Sequence, residues 1–139
     1  MELRICIDVD NMERAVEFYT EALGLRTGRR FKSDFVEILG AGSPIDLLFN
    51  EAGTHPIARG YGSESVRSYQ RHWTPVHLDF VVEDIDEAVA RLQRHGAVLE
   101  MPVTERIWGR IAGLADPFGH GIDLLEFKGR GYDEILQPH

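Results

Sequence analysis

Several short segments of this sequence place chemically capable side chains at alternate positions. Arg4 and Cys6 alternate with isoleucines near the start, and His77 and Asp79 alternate with apolar residues in the second half. An imidazole with an ordinary pKa of about 6.5 can move a proton at a substrate carbon. A guanidinium can bind an anionic group or stabilise an oxyanion. We therefore predict a polar, substrate-binding site in which His77 is the candidate catalytic base.

Two aspartates belong to a repeated motif. The sequence Ile-Asp-Leu-Leu occurs at residues 45–48 and again at 122–125, 77 positions later. Successive side chains of a strand point to opposite faces, so Asp46 and Asp123 each lie opposite their isoleucine neighbours. We expect both aspartates on the polar faces, where they would bind substrate with the residues named above.

Cys6 is the only cysteine of the chain, which excludes an intrachain disulfide framework. Alternation places it on the polar face, where it would contact a ligand. We expect it to behave as a small buried hydrophobic residue, because a nucleophile would need a nearby base.

The elements that must position these residues occur twice. A segment that begins at Ile7 recurs 73 positions later, and the Ile-Asp-Leu-Leu motif recurs after it in the same order. Two copies in one order indicate a supersecondary unit used twice. The predicted helices begin after the N-cap residues Asn11 and Asp84 and end at Gly24 and Gly96.

Each helix is preceded by one predicted strand and followed by three. The strands span residues 3–9, 25–32, 34–40 and 44–50 in the first copy and 76–82, 97–102, 106–115 and 121–127 in the second. The predicted fold class is therefore α+β, with two tandem βαβββ modules. A helix that covers one face of its sheet leaves the polar face open.

We expect a single domain over residues 1–139. It comprises a first module (about 3–50), a connecting arm (51–75), a second module (about 76–127) and a C-terminal tail (128–139). The arm is long for a structureless loop, so we expect a helical turn over residues 64–72 or a lid over the cavity. The tail is expected to be loosely held.

Composition excludes some classes of partner. The chain has 15 Lys and Arg against 23 Asp and Glu, a net charge of −8. Nucleic acids and anionic membranes are polyanions, so neither is expected as a partner. We see no signal peptide and no transmembrane run, and we expect a cytoplasmic protein.

Two motifs carry a resemblance to a known superfamily. The segments FYTEALGL at residues 18–25 and ADPFGHGID at residues 115–123, together with the repeat, resemble the vicinal oxygen chelate superfamily. That superfamily includes glyoxalase I, bleomycin-resistance proteins, fosfomycin-modifying enzymes, methylmalonyl-CoA epimerase and extradiol dioxygenases. The resemblance covers about residues 3–127. It implies curled sheets around a shared cavity, a small-molecule ligand and a homodimer.

In the superfamily's metal-dependent members, the ligands come from the first and last strands of each module. The equivalent residues here are Arg4, Asp46, His77 and Asp123. An arginine cannot deprotonate to bind a metal, so we expect no cofactor, with Arg4–Asp46 and His77–Asp123 ion pairs instead. The alternative is a divalent Zn, Ni, Fe or Mn ion held by His77, Asp123 and Asp46.

The segment Trp108-Gly109-Arg110 resembles one that is common in the bleomycin-resistance branch. It predicts an aromatic wall and a cation for a ligand, or else a core tryptophan and a surface arginine. Both interpretations stay open.

Three functions are consistent with these features. The first is a metal-free, glyoxalase/bleomycin-resistance-like protein that binds a small organic molecule. The second is a metal-dependent lyase, isomerase or dioxygenase. The third is a metal-free enzyme in which His77 is the general base and Arg4 stabilises an oxyanion. Whether the protein is an enzyme is left open by the residues, as is the identity of its substrate.

Overall fold

A computed structural model describes residues 1–56 and 65–137 of the chain. The chain divides into two compact units, Met1–Gln70 and Arg71–His139. Each unit contains one four-stranded sheet, and we describe each by itself.

The first unit is built in the order strand, helix, three strands. Its elements are β1 (Ile5–Val9), α1 (Met12–Glu17) continued by a π-helix (Phe18–Ala22), β2 (Arg26–Phe31), β3 (Phe35–Leu39) and β4 (Ile45–Phe49). The sheet order is β1-β4-β3-β2. β1 pairs with β4 in parallel, and the other pairs are antiparallel.

The second unit repeats this arrangement. Its elements are β5 (Leu78–Val81), α2 (Ile85–Arg94), β6 (Val98–Arg106), β7 (Gly109–Ala115), β8 (Gly121–Phe127) and a 3-10 helix (Gly131–Ile135). The sheet order β5-β8-β7-β6 is the same, again with one parallel pair. The predicted α+β fold with two tandem βαβββ modules is confirmed.

Both helices begin and end as predicted. The side chain of Asn11 accepts a hydrogen bond from the backbone N–H of Arg14, and that of Asp84 accepts one from Glu87. Such caps satisfy backbone donors that have no partner within the helix. Past the helices, Gly24 and Gly96 adopt φ angles of 68° and 100°, which favour glycine.

The first helix differs from the second in having a π-helical end. The segment from Asn11 to Gly24 is one residue longer than the segment from Asp84 to Gly96. A π-helical turn accommodates a single extra residue within a helix. It buries the neighbouring rings of Phe18 and Tyr19, whose centroids are 5.3 Å apart.

The helices pack on the apolar faces of their own sheets, which leaves the other faces polar. The fully buried large side chains are Val9, Phe18, Tyr19, Ile38, Ile45 and Leu47 in the first unit and Ile85, Leu92, Leu114, Phe118, Ile122 and Leu124 in the second. Within the described residues, no helix is long and apolar enough to cross a bilayer.

Two local expectations are wrong, and one of the two alternatives given for the connecting arm is not observed. β6 continues to Arg106, past Pro102, because an edge strand tolerates proline where its pairing is irregular, and the register shifts between Met101 and Thr104. No helix forms over residues 65–72, the described part of the expected turn; residue 64 lies outside the described residues. The tail is not loose throughout, since Tyr132 packs on Trp108 and Phe127.

Candidate functional site

The polar face of the first unit is ordered by strand pairing. β1 places Cys6 beside Asp46 of β4, and β3 places Glu37 on the other side of Asp46. Paired residues of adjacent strands point to the same face. Asp46 therefore lies on the same face as Cys6 and Glu37. Cys6 is on the polar face of its strand, as predicted. We call Arg4, Arg29, Glu37 and Asp46 the arginine–carboxylate network.

Arg4 binds two carboxylates at once. Its Nε and Nη2 donate to the two oxygens of Asp46 at 3.0 and 2.6 Å, and Nη2 also donates to Glu37 at 2.6 Å. The predicted Arg4–Asp46 ion pair is present and is bidentate, the strong geometry for a guanidinium and a carboxylate. These bonds raise the pKa of Arg4 above its usual range, with Asp46 contributing most.

Glu37 is the member of the network that sequence reasoning missed. Its side chain is 5% exposed, and it accepts bonds from the backbone N–H, Nε and Nη2 of Arg29 at 3.2, 3.1 and 2.5 Å. The hydrogen bonds from Arg29, and then those from Arg4, hold the pKa of Glu37 far below its usual range. The sequence does contain a sign of its role: Glu37 lies between two apolar strand residues, Val36 and Ile38, which places its carboxylate on the polar face of the strand.

Gly28 makes room for this carboxylate. A Cβ at Gly28 would lie 2.6 Å from Oε1 of Glu37 and 2.8 Å from a methyl carbon of Leu39. Both distances are shorter than van der Waals contact, so a larger residue would require the side chains of Glu37 and Leu39 to shift.

Cys6 is exposed, so the expectation of a buried hydrophobic residue is wrong. It lies on the polar face of β1, at the edge of its sheet. Partial desolvation raises the pKa of the thiol, and the charges of Asp8 and Asp46 raise it further. Cys6 is therefore held in the neutral form, which is the weaker nucleophile.

Residues just before and within the connecting arm contact Asp8, which lies on the same face of β1 as Cys6. Arg67 donates to Asp8 at 2.7 Å, and Asn50 donates to Asp8 at 3.0 Å. Tyr69 donates to the carbonyl of Asn50 at 2.6 Å. Desolvation and the nearby acidic groups, Asp8 first, raise the pKa of Tyr69 to about 12. The tyrosine is thus a hydrogen-bond donor at neutral pH.

The polar face of the second unit carries a histidine and two aspartates, which we call the His77 triad. Nε2 of His77 lies 3.2 Å from Asp79 and 3.4 Å from Asp123. Asp79 and Asp123 are register partners on β5 and β8. Burial raises the pKa of Asp123, and the charge of Asp79 adds to the increase although His77 opposes it.

The His77 triad has the donor set of a divalent cation site. One ligand atom from each residue lies within 4.8 Å of the other two. An imidazole and two carboxylates suit Zn, Mn, Ni or Fe. Asp46, which the sequence placed in the alternative metal set, belongs to the other unit and has both oxygens bound by Arg4. Asp79 is the second carboxylate of this group instead.

The guanidinium near the triad is bound elsewhere. Arg71 donates to the two oxygens of Glu100 at 2.6 and 3.0 Å. Asp79 and Asp123 therefore pair with a histidine, whereas Asp46 and Glu37 pair with arginines.

Trp108 and Arg110 do not join the His77 triad. Arg110 pairs with Asp86 of α2 at 2.7 Å and with Glu126 at 2.6 Å, on the face that α2 covers. Glu126 also accepts a bond from the backbone N–H of Ile85. Trp108 packs edge-on against Phe127 and Tyr132. These contacts favour the structural interpretation of both residues.

Comparison with known proteins identifies relatives of this fold. The model of a family described as "Glyoxalase-like domain" matches residues 4–125. No curated protein matches the sequence.

Three solved structures illustrate the likeness. A FosX variant from Listeria monocytogenes, a fosfomycin resistance protein complexed with Mn(II) and 1S,2S-dihydroxypropylphosphonic acid, is 18% identical (98% of this chain, 95% of that chain, TM-score 0.69). A glyoxalase/bleomycin resistance protein/dioxygenase family enzyme from Burkholderia phytofirmans PsJN is 17% identical (90% and 97%, TM-score 0.68). TioX from Micromonospora sp. ML1 is 19% identical (92% and 99%, TM-score 0.66). Likeness at these identities establishes the fold alone.

Proposed function

The chain belongs to the glyoxalase-like domain family, and on this basis we propose that it binds a small organic molecule through its polar sheet faces, with no metal ion at the first module. One observation carries this proposal: the bidentate bond between Arg4 and Asp46. By the superfamily resemblance, these residues are the expected equivalents of two metal ligands in metal-dependent members.

A metal at Asp46 is opposed by two effects. It would have to displace charge-assisted hydrogen bonds from both oxygens of the carboxylate. It would also lie close to a guanidinium that cannot lose its charge. Glu37 offers no substitute, because Arg4 and Arg29 bind both of its oxygens.

Ligand-observed NMR with a panel of uncharged and charged organic fragments tests this function. The chain is screened before and after exhaustive treatment with EDTA. We expect bound fragments that persist after chelation and are lost in Arg4→Ala. Glu13→Gln, an exposed change on α1, is the control and should keep them. If no fragment binds, or if chelation abolishes every interaction, the proposal is wrong.

The His77 triad favours a second candidate function, metal-dependent chemistry at the second module. Three ligand atoms within 4.8 Å support it, as does the Mn(II) bound by a FosX variant of the same fold. A bound cation would polarise a substrate oxygen or activate water. The chain's own residues would hold the ion and leave open positions for substrate.

Calorimetric titration with MnCl₂, ZnCl₂ and NiCl₂ tests the second candidate. We expect one site whose affinity falls at least tenfold in His77→Ala, since loss of a ligand removes a coordinate bond. Asp46→Asn is the matched control and should bind as the wild type does. Absence of binding, or an equal loss in Asp46→Asn, would rule out a site at the triad.

A further inference from the structure

We propose that the arginine–carboxylate network selects a ligand with an uncharged oxygen acceptor, such as a carbonyl or an amide, over a carboxylate or a phosphate. The inference rests on the proposed small-molecule function and names the chemical class of the ligand. It depends on which donors the network leaves open and on its total charge.

Arg4 keeps a pair of donors. Its three hydrogen bonds use Nε and Nη2, and among the described residues Nη1 has no bonded acceptor. The side chain is 34% exposed, so a ligand can reach it. Because the guanidinium is already fixed by two carboxylates, binding a ligand costs little conformational entropy.

The network has no net charge to attract an anion. Two guanidinium groups, on Arg4 and Arg29, are balanced by the carboxylates of Glu37 and Asp46. An incoming carboxylate would lose hydration and meet both fixed carboxylates at close range. A carbonyl oxygen accepts the same N–H bonds with a smaller desolvation penalty. The network therefore favours an uncharged acceptor.

The same face offers apolar contact beyond the network. Leu48 follows Asp46 by two residues, and Phe35 is its register partner on β3. Both side chains are partly exposed. Residues two apart in a strand are separated by about 7 Å, which is the size of one aromatic ring. The ligand class is thus an uncharged oxygen acceptor attached to an apolar body.

Glu37 acts here as a positioning residue. It fixes both arginines and supplies one of the two negative charges that make the network neutral. Replacing it with glutamine keeps its shape and changes the charge of the network from zero to +1. That change should reverse the preference between an uncharged ligand and an anion.

Benzamide and benzoate are matched probes, because they have the same shape and differ in charge. Binding is measured by protection of Cys6 from N-ethylmaleimide, since Cys6 neighbours Asp46 on the same face. We expect benzamide to bind the wild type about tenfold more tightly than benzoate, and Glu37→Gln to reverse this order. Glu13→Gln makes the same charge change on an exposed part of α1 and should leave the preference unchanged.

A second variant keeps the test decisive if Glu37→Gln does not fold. Arg29 is 75% exposed, and Arg29→Gln, which gives the network a charge of −1, should weaken benzoate more than it weakens benzamide. Equal or tighter binding of benzoate to the wild type would overturn the inference, as would binding of neither probe. If fragments from the EDTA experiment still bind in that case, the proposed function survives. If none does, both fail.

Discussion

The two modules share a topology but differ in how their polar faces are charged. In the first, Arg4, Cys6 and Asp46 occupy the positions that His77, Asp79 and Asp123 occupy in the second. Glu37 of β3 pairs with Asp46, whereas its counterpart on β7, which pairs with Asp123, is a glycine. One face therefore matches each carboxylate with a guanidinium, and the other leaves two aspartates with one imidazole.

This difference shows what the duplicated scaffold fixes and what it leaves free. The register of the parallel strand pair repeats between the copies, and so does the burial of Ile45 and Leu47 at Ile122 and Leu124, because these residues form the apolar faces under the helices. Charge on the polar face does not repeat, because side chains there can change without disturbing the core. A neutral hydrogen-bonding surface and a candidate cation site thus stand on the same framework.

The largest effects are expected in the cores, where the modules should behave alike. Leu47→Ala and Leu124→Ala each remove a fully buried side chain at equivalent positions. Each should lower the free energy of unfolding by about 2–5 kcal/mol. Urea unfolding followed by circular dichroism measures the loss. Val81→Ala, at a residue that is 60% exposed, is the control and should lower the free energy of unfolding by less than about 0.5 kcal/mol. A loss as small as that in either core variant would show that the two cores are not equivalent.

Introducing the residues of the His77 triad at the equivalent positions of the first module should allow that module to bind a divalent cation. Arg4→His combined with Cys6→Asp reproduces the triad around Asp46. We expect calorimetric titration with MnCl₂ to change from one bound ion to two. Cys6→Asp alone, which keeps the guanidinium, should still bind one. A stoichiometry of one in the double variant would show that more than these positions separates the modules.

Glu37 on the first polar face and Asp123 on the second should make opposite contributions to the change of stability with pH. The lowered pKa of Glu37 means that its carboxylate stabilises the fold above the ordinary value of 4.5, and this contribution is lost as the pH falls below it. The raised pKa of Asp123 means that its charged form destabilises the fold at neutral pH, and protonation relieves this. At pH 7, Glu37→Gln should lower Tm by several degrees and Asp123→Asn should raise it slightly.

Thermal unfolding between pH 7 and pH 3.5 measures both effects. Glu37→Gln should flatten the loss of stability in acid, whereas Asp123→Asn should steepen it. Glu13→Gln serves as the control for a surface carboxylate. Parallel curves for the two site variants would contradict the opposite signs.

The smallest effect is expected at Cys6. Since partial desolvation and two carboxylates raise the pKa of its thiol, alkylation by iodoacetamide at pH 7 should be several-fold slower than that of N-acetylcysteine. Its pH midpoint should also be higher, and Asp8→Asn should lower it. A midpoint at or below that of the free thiol would show that the face is less negative around Cys6 than the structure indicates.

The local patterns of the sequence predict much of this structure. Alternation placed Asp46 with the polar residues of β1, and the caps and glycines predicted both helices. Of the two carboxylates that bind Arg4, the sequence predicts Asp46 but not Glu37. The contact between Glu37 and Arg4 depends on which strands pair and in what register. The prediction that Cys6 is buried is wrong, because alternation shows on which face of a strand a residue lies but not how exposed that face is. The homodimer, the cytoplasmic location and the ligand remain predictions.

The extra residue in the first helix has a consequence for redesign. Phe18 and Tyr19 are consecutive, fully buried residues of the π-helical turn, and their rings meet edge to face. Neighbours in a regular α-helix point about 100° apart, so deleting one residue here would rotate the residues on one side of the deletion and move buried side chains out of register with the sheet. The two halves of the molecule cannot be made identical by deletion alone.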